Sequence, residues 1–249
     1  GANQIMFEAD LIICLGTHLA IPHTTTLYDN YAPQAKKIAV NIDQHQVLNH
    51  SNIVFDLIIN SDLREFLRKA SYNKHRSNWS ISKFKDKNWY VPSQKVLPNS
   101  NVWNRALTKA APSKTCFIVD GGGTALYAGF QSTYISSLEQ RIICSSGMSS
   151  MGTGLAETVG AYCSGRFDQY SCIIGDCSFT MNLQDLQTIK YLNIPVVISV
   201  INNNGQLAIR DTQRTFQEGR YFGTHPSWGL TNPSIRKIAN AFGIKYLRL

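Results

Sequence analysis

Four times in the second half of this chain an apolar, largely β-branched run stops at a glycine or a short polar group. That repeated punctuation restricts the fold more than any other feature. The runs are Thr115–Asp120 before Gly121-Gly122-Gly123-Thr124, residues 142–145 before the segment 147–154, Cys172-Ile173-Ile174 before Gly175-Asp176-Cys177-Ser178, and Val196–Ile201 before Asn202-Asn203-Asn204-Gly205. Short, nearly continuous apolar runs bounded by turn residues are the signature of strands buried on both faces, as in parallel sheets. Helical stretches separate them. Residues 155–162 are rich in small side chains, and 182–192 place Leu183, Leu186, Ile189 and Leu192 on one face. Strands alternating with helices predict an α/β fold with a doubly wound parallel sheet. In such a sheet ligands gather beyond the carboxyl ends of the strands, so four polar turns at one edge predict a site there.

The first part of the chain follows the same plan on a smaller scale. Residues 9–16 read as a buried strand ending in a glycine turn, 37–43 as a second strand and 53–59 as a third apolar run. Residues 61–67 read as a helix with Ser61 or Asp62 as N-cap and Leu63, Phe66 and Leu67 on one face. Between the two parts, from Arg68 to Lys95, eight basic residues stand against Asp86 alone, so this stretch holds nearly all of the formal net charge of +8. Trp79, Phe84, Trp89 and Tyr90 are interleaved, which would suit a nucleic-acid patch. A solvated connector is the commoner reading of such a charge run, and Pro92 and Pro98 favour it. No nucleic-acid partner is expected. The domain plan is therefore residues 1–70, a basic linker at 71–100, and a second domain at 101–249.

Other classes are excluded by composition. With 43% hydrophobic residues, 17 Gly and 8 Pro among 249, the chain is neither disordered nor collagen-like. No apolar run approaches the ~20 residues of a membrane helix, and residues 1–10 show no basic leader, so a soluble, non-secreted chain without a membrane partner is expected. The six cysteines form no Cys-x-x-Cys pair and mostly sit among apolar residues, which suits buried free thiols in a reducing cytoplasm.

The chemistry available at the predicted edge is specific. Asp176 offers a hard carboxylate at one strand end, and Asn203, 27 residues later, offers an amide oxygen at the next. Two oxygen donors with backbone carbonyls suit Mg²⁺, which completes its octahedron with phosphate oxygens and water. Glycine-rich turns entering helices present free N–H groups to phosphate. A metal-bridged diphosphate is the ligand that fits both. Asp176 alone would read as a turn or cap residue; beside the Asn run it reads as a metal ligand. Competing motifs are absent: there is no P-loop, no Gly-x-Ser-x-Gly elbow, and Glu157 stands where a dinucleotide fingerprint needs Gly or Ala. His225, in Thr224-His225-Pro226-Ser227-Trp228, reads as a loop histidine before it reads as a substrate contact.

Gly175-Asp176-Cys177-Ser178 followed by Asn202-Asn203 resembles the Gly-Asp-Gly…Asn-Asn signature of thiamine diphosphate enzymes. Residues 179–186, Asn193-Ile194-Pro195-Val196 and 147–155 resemble the acetolactate synthase branch of that family. Ala9-Asp10-Leu11-Ile12 with Gly16, and 31–37 before Asn41-Ile42-Asp43, resemble its central domain. The resemblance implies two thiamine diphosphate-enzyme-type domains, both incomplete: the C-terminal half of the central domain and most of the diphosphate-binding domain. It implies Asp176, Asn203 and the Gly205 carbonyl as Mg²⁺ ligands. It also implies Cys177 and Ser178 as donors to the diphosphate, with Gly122 and Thr124 on the neighbouring turn. Met151 would be the apolar wedge that bends the cofactor, and the Ser149 backbone would contact its aminopyrimidine. Gly175, Gln206 and Leu207 complete the implied set. The implied activity is decarboxylation of a 2-oxo acid such as pyruvate followed by carboligation, in a homodimer or homotetramer, the cofactor supplying the electron sink.

Departures qualify the resemblance. Cys177 replaces the third Gly, and Gly123-Thr124 stands in place of Gln-His. The flavin-contacting segment after Gly16 is replaced by Thr17-His18-Leu19-Ala20-Ile21-Pro22, so FAD is not expected. Thr212 stands where acetolactate synthases carry a Trp, and residues 210–213 and 223–226 look more like related enzymes of polysaccharide or nucleotide-sugar clusters. The pyrimidine-binding domain and its activating Glu have no counterpart. The expectation is thus a fragment with no catalytic residue of its own and no turnover alone; a non-catalytic structural remnant is the other reading.

Overall fold

The structure, a computed structural model, describes residues 2–19, 24, 28–48, 53–70, 99–121, 123–145 and 150–249, with backbone only at 2, 3, 48, 123, 124 and 127. The chain divides into two compact units, Gly1–Val91 and Pro92–Leu249. The basic run falls almost wholly outside the described residues.

In the first unit α1 (Ala2–Glu8) leads into β1 (Leu11–Leu15), then β2 (Lys36–Asn41), α2 (Gln44–Leu48), β3 (Leu57–Asn60) and α3 (Leu63–Lys69). The strands pair in parallel in the order β1-β2-β3. Of the two cap candidates, Asp62 caps α3, its Oδ1 accepting from the Arg64 and Glu65 amides. The third apolar run joins the sheet only at Leu57. Just before it the Asp56 carboxylate accepts the Lys37 N–H that a longer strand would have used. β1 corrects a second expectation, because it is buried on one face only. Cys14 packs with Leu19, Tyr31 and Ile53, whereas Leu11 and Ile13 remain 47% exposed.

The second unit is a four-stranded parallel sheet. Its elements are α4 (Ser100–Lys109), β4 (Thr115–Asp120), α5 (Gly123–Ser132), β5 (Arg141–Ile143), α6 (Gly154–Cys163), β6 (Gln169–Gly175), α7 (Asp176–Met181), α8 (Asp185–Tyr191), β7 (Val196–Ile201), α9 (Leu207–Phe216) and α10 (Ile235–Ala241). The strand order is β5-β4-β6-β7. β4 is buried at every position. On one face Cys116, Ile118, Cys172 and Ile174 pack with Leu155, Phe179, Leu186 and Ile189; on the other Val119 and Ile173 pack with Ala125. Period-2 alternation has filled both faces, so the α/β doubly wound expectation holds.

Three local features depart from expectation. The run at 142–145 pairs with β4 only through Arg141–Ile143. The helix expected at 182–192 is shorter, α8 spanning Asp185–Tyr191, because Asn182, the C-cap of the preceding α7, is non-helical and donates its Nδ2 to the Gly152 carbonyl at 2.6 Å. Free thiols are confirmed at all six cysteines, but Cys163, at the end of α6, is exposed.

From β4 the chain goes through α5 to β5 on one side and then returns to β6 on the other. Asp120 at the end of β4 lies level with Ile174 near the end of β6. The crevice where a doubly wound sheet reverses direction is therefore at the carboxyl ends of β4 and β6.

Candidate functional site

β6 runs straight into α7, so Gly175 becomes the helix N-cap and Asp176 its first residue. Asp176 is 2% exposed. Its Oδ1 accepts from the Cys177 amide at 3.0 Å; its Oδ2 accepts from the Gly205 amide and from Asn232 Nδ2, both at 3.0 Å. Burial pushes the carboxyl above the ordinary aspartate range, and these donors pull it back toward the charged form. A carboxylate has about four lone-pair sites. Oδ2 takes two of these donors and Oδ1 one, and the Asp176 backbone amide adds to the pull toward the charged form.

The turn after β7 is built by close approach. Gly205 has φ +139°, and a Cβ there would fall 2.3 Å from the Thr224 carbonyl oxygen, so only glycine fits. The Thr224 carbonyl accepts from the Gln206 amide at 3.2 Å, and the Thr224 hydroxyl donates to buried Gln213 Oε1 at 2.6 Å. Arg210, in the first turn of α9, donates Nη2 to the Asn203 carbonyl at 3.0 Å. Two of the three residues expected to supply cation ligands, Asn203 and Gly205, therefore sit in a turn braced from α9 and from the loop at 221–224.

The turn that opens α6, beside the exit of β4, is organised by a residue that the sequence pattern did not single out. Asp120 is 1% exposed, and its two oxygens accept from the amides of Gly152 (3.3 Å) and Gly154 (2.8 Å), the latter opening α6. Burial raises its pKa; the two amides and the nearby Ser178 hydroxyl act in the opposite direction. A Cβ on Gly121 would lie 2.4 Å from Ser178 Oγ and 2.9 Å from Met151 Cγ, so both side chains close around the exit of β4. Ser178 Oγ is fully buried and meets no hydrogen-bond partner with full geometry among the described residues.

The structure thus brings Met151, Gly175, Asp176, Cys177 and Ser178 to the ends of β4 and β6, and Asn203, Gly205, Gln206 and Leu207 to the turn after β7 and the start of α9. Gly122 and Ser149, and the side chain of Thr124, lie outside the described residues. His225 is a capping residue: its Nδ1 accepts the Ser227 amide at the 3₁₀ turn Pro226–Trp228. Sequence reasoning missed two residues of the site. Asp120 ends a strand run and could have been flagged by the rule that singles out Asp176. Asn232 reaches Asp176 from 56 residues away, and no local signal marks it.

The donor set fits a hard cation with a phosphate ligand: a buried carboxylate, an amide side chain, a glycine carbonyl, and the buried Ser178 hydroxyl in the first turn of α7. Among the described residues no three His, Cys, Asp or Glu side chains converge, so the edge does not resemble a transition-metal centre.

Comparison with known proteins agrees with this chemistry. The family model described as "Thiamine pyrophosphate enzyme, C-terminal TPP binding domain" matches residues 120–249. The whole chain is 29% identical to the acetolactate synthase large subunit of Cyanidium caldarium, covering 43% of that protein. It is 27% identical over 98% of its length to the isozyme 2 large subunit of Escherichia coli K12, covering 43% of it. It is also 27% identical over its full length to the mitochondrial catalytic subunit of Saccharomyces cerevisiae, covering 38%. The chain therefore spans about two-fifths of the length of these relatives. With the matched segment starting at the buried Asp120 and taking in both turns of the site, the chain belongs to the thiamine pyrophosphate enzyme family, and residues 120–249 are its C-terminal TPP-binding domain.

Proposed function

We propose that the edge formed by β4, β6 and the turn after β7 holds the diphosphate of thiamine diphosphate through a Mg²⁺ ion. The observation that carries this reading is the Asp176 carboxylate, buried just beyond a strand end and held by donors from its own helix, the turn after β7 and the loop before α10. Asp176 and Asn203 contribute side-chain oxygens and Gly205 its carbonyl. Ser178 and Cys177 face the phosphate oxygens, with Gly175 leaving room at the helix start, and Gln206 and Leu207 border the site. Met151 flanks it as the apolar element. Gly122, Thr124 and Ser149 belong to the same set.

When bound, the cofactor supplies an acidic thiazolium carbon and an electron sink for decarboxylating a 2-oxo acid. The part this chain plays is to bind and orient. Asp176 and the Asn202–Gly205 turn neutralise diphosphate charge through the ion, and Asp120 fixes the turn that carries Met151. For the whole protein we propose an acetolactate synthase-like reaction on a 2-oxo acid such as pyruvate, in a cytoplasmic homo-oligomer, without FAD. Residues 101–249 supply the metal and diphosphate side of the site, and we expect no turnover from this chain alone.

Thermal unfolding with and without Mg²⁺ and thiamine diphosphate tests the reading, because a ligand that binds only the native state raises the transition temperature. The wild-type chain should be stabilised by the two together and by neither alone, and Asp176→Asn should lose the effect. Stabilisation by thiamine diphosphate that persists in EDTA, or that survives in Asp176→Asn, would contradict the role assigned to the ion.

A further inference from the structure

Asn232 lies in the loop that precedes α10, half-buried, between the 3₁₀ turn Pro226–Trp228 and Pro233. The following proline restricts its backbone to extended conformations, and Ser234, two residues on, caps α10 through the Lys237 amide. A short, anchored segment thus delivers one carboxamide to the Asp176 carboxylate from outside the sheet. Asn232 Nδ2 and the Gly205 amide both donate to Oδ2, whereas Oδ1 accepts from the Cys177 amide, so Oδ2 is the more fully occupied oxygen. Only the NH₂ end of the carboxamide can face a carboxylate, since its oxygen would be repelled. On the other side the Cys177 sulfur lies 3.5 Å from Nδ2 and 3.8 Å from Oδ1, closing the direction in which the amide could swing. The larger thiol occupies the place where the resemblance has glycine.

We propose that Asn232 is a positioning residue for the cation: by holding Oδ2, it sets which oxygen of Asp176 is presented to the metal. This rests on the cofactor reading above. Without the carboxamide, the carboxylate keeps only backbone donors and turns more freely about its χ2 bond. The metal must then order it on binding. Partners of this kind change metal affinity by about 10–100-fold.

The test is a Mg²⁺ titration at saturating thiamine diphosphate, followed by the thermal transition, for the wild type, Asn232→Leu, Asn232→Ala and Cys177→Ala. In both Asn232 variants the Mg²⁺ concentration at half-effect should rise about tenfold. The metal-free transition should stay within about 3 °C of wild type, because a half-exposed amide is being removed rather than a core side chain. The thiamine diphosphate half-effect at saturating Mg²⁺ should stay within about twofold. Cys177→Ala, which removes the thiol against Asn232 but leaves the Cys177 backbone amide in place for Asp176 and phosphate, should raise the Mg²⁺ value by less than about threefold. An unchanged Mg²⁺ value in both Asn232 variants, or a fall in metal-free stability with no change in that value, overturns the proposal. If the wild type shows no response to Mg²⁺ with thiamine diphosphate, the cofactor reading fails and this inference falls with it. A wild type that responds beside Asn232 variants that respond equally well refutes the positioning role alone.

Discussion

Asp120 ends β4 and Asp176 directly follows the neighbouring β6; both are buried and accept backbone hydrogen bonds at both oxygens, yet they do different work. The backbone donors of Asp120 come from one turn, residues 152–154, and that turn opens α6. The carboxylate is a clamp, directed into the fold. The donors of Asp176 come from three places: its own helix, the turn after β7, and the loop before α10. Those three segments converge on the carboxylate from different parts of the fold. The role of a buried carboxylate is therefore read from where its donors originate, since burial and hydrogen-bond number are nearly the same for both.

The largest effect expected from this contrast is on stability, at the clamp. Asp120→Ala leaves two buried amides without an acceptor, at about 1–3 kcal/mol each. For a chain of this size the transition should fall by about 10 °C in calorimetry. Asp176→Asn should lose less stability and all of the response to Mg²⁺. If the two variants are interchangeable in both readouts, the distinction between clamp and socket is wrong.

A smaller effect is the pH dependence of the clamp. Burial raises the Asp120 pKa, so the folded state holds that proton more tightly than the unfolded chain does. The stability linked to it is fully present below the unfolded value of about 4 and is lost as pH rises through the raised folded value. The transition temperature of the wild type, measured against Asp120→Asn across this interval, should therefore decline with rising pH. A difference that grows with pH would mean that the amide bonds outweigh burial.

Gly121→Ala should be milder. The added methyl displaces the Ser178 hydroxyl and presses on Met151, an overpacking of about 1 kcal/mol and a loss of about 2–4 °C. The smallest effect belongs to Ser178→Ala. Its hydroxyl lacks a well-formed partner among the described residues, so the metal-free transition should move by less than about 1 °C, while the thiamine diphosphate half-effect should rise several-fold. A large loss of metal-free stability would place Ser178 with the clamp instead.

The sheet of the second unit was legible in the sequence because β4, β6 and β7 are each short apolar runs ended by a turn, and because Leu186 and Ile189 mark the helical face that covers them. The first sheet was less so. Residues 9–16 have the same apolar composition as β4, yet composition does not say whether a second layer covers the strand, and Leu11 and Ile13 remain exposed. At the site, Asp176 and Asn203 could be read because each follows its own strand. Asp120 carries the same local signal, but its partners lie 32 and 34 residues on, so its function as a clamp is a tertiary fact. Asn232 reaches Asp176, and Asn182 reaches Gly152, across long stretches of sequence, and no local pattern marks either contact.

A crystal structure of the chain with thiamine diphosphate and Mn²⁺ in place of Mg²⁺ tests the central claim most directly, because anomalous scattering locates the ion without reference to the fold. The expected result is one Mn²⁺ ion bonded to Asp176, Asn203 and the Gly205 carbonyl and bridging to the diphosphate. Thiamine diphosphate bound with the ion elsewhere, or with Asp176 still enclosed by its three donors and touching no metal, would contradict the account.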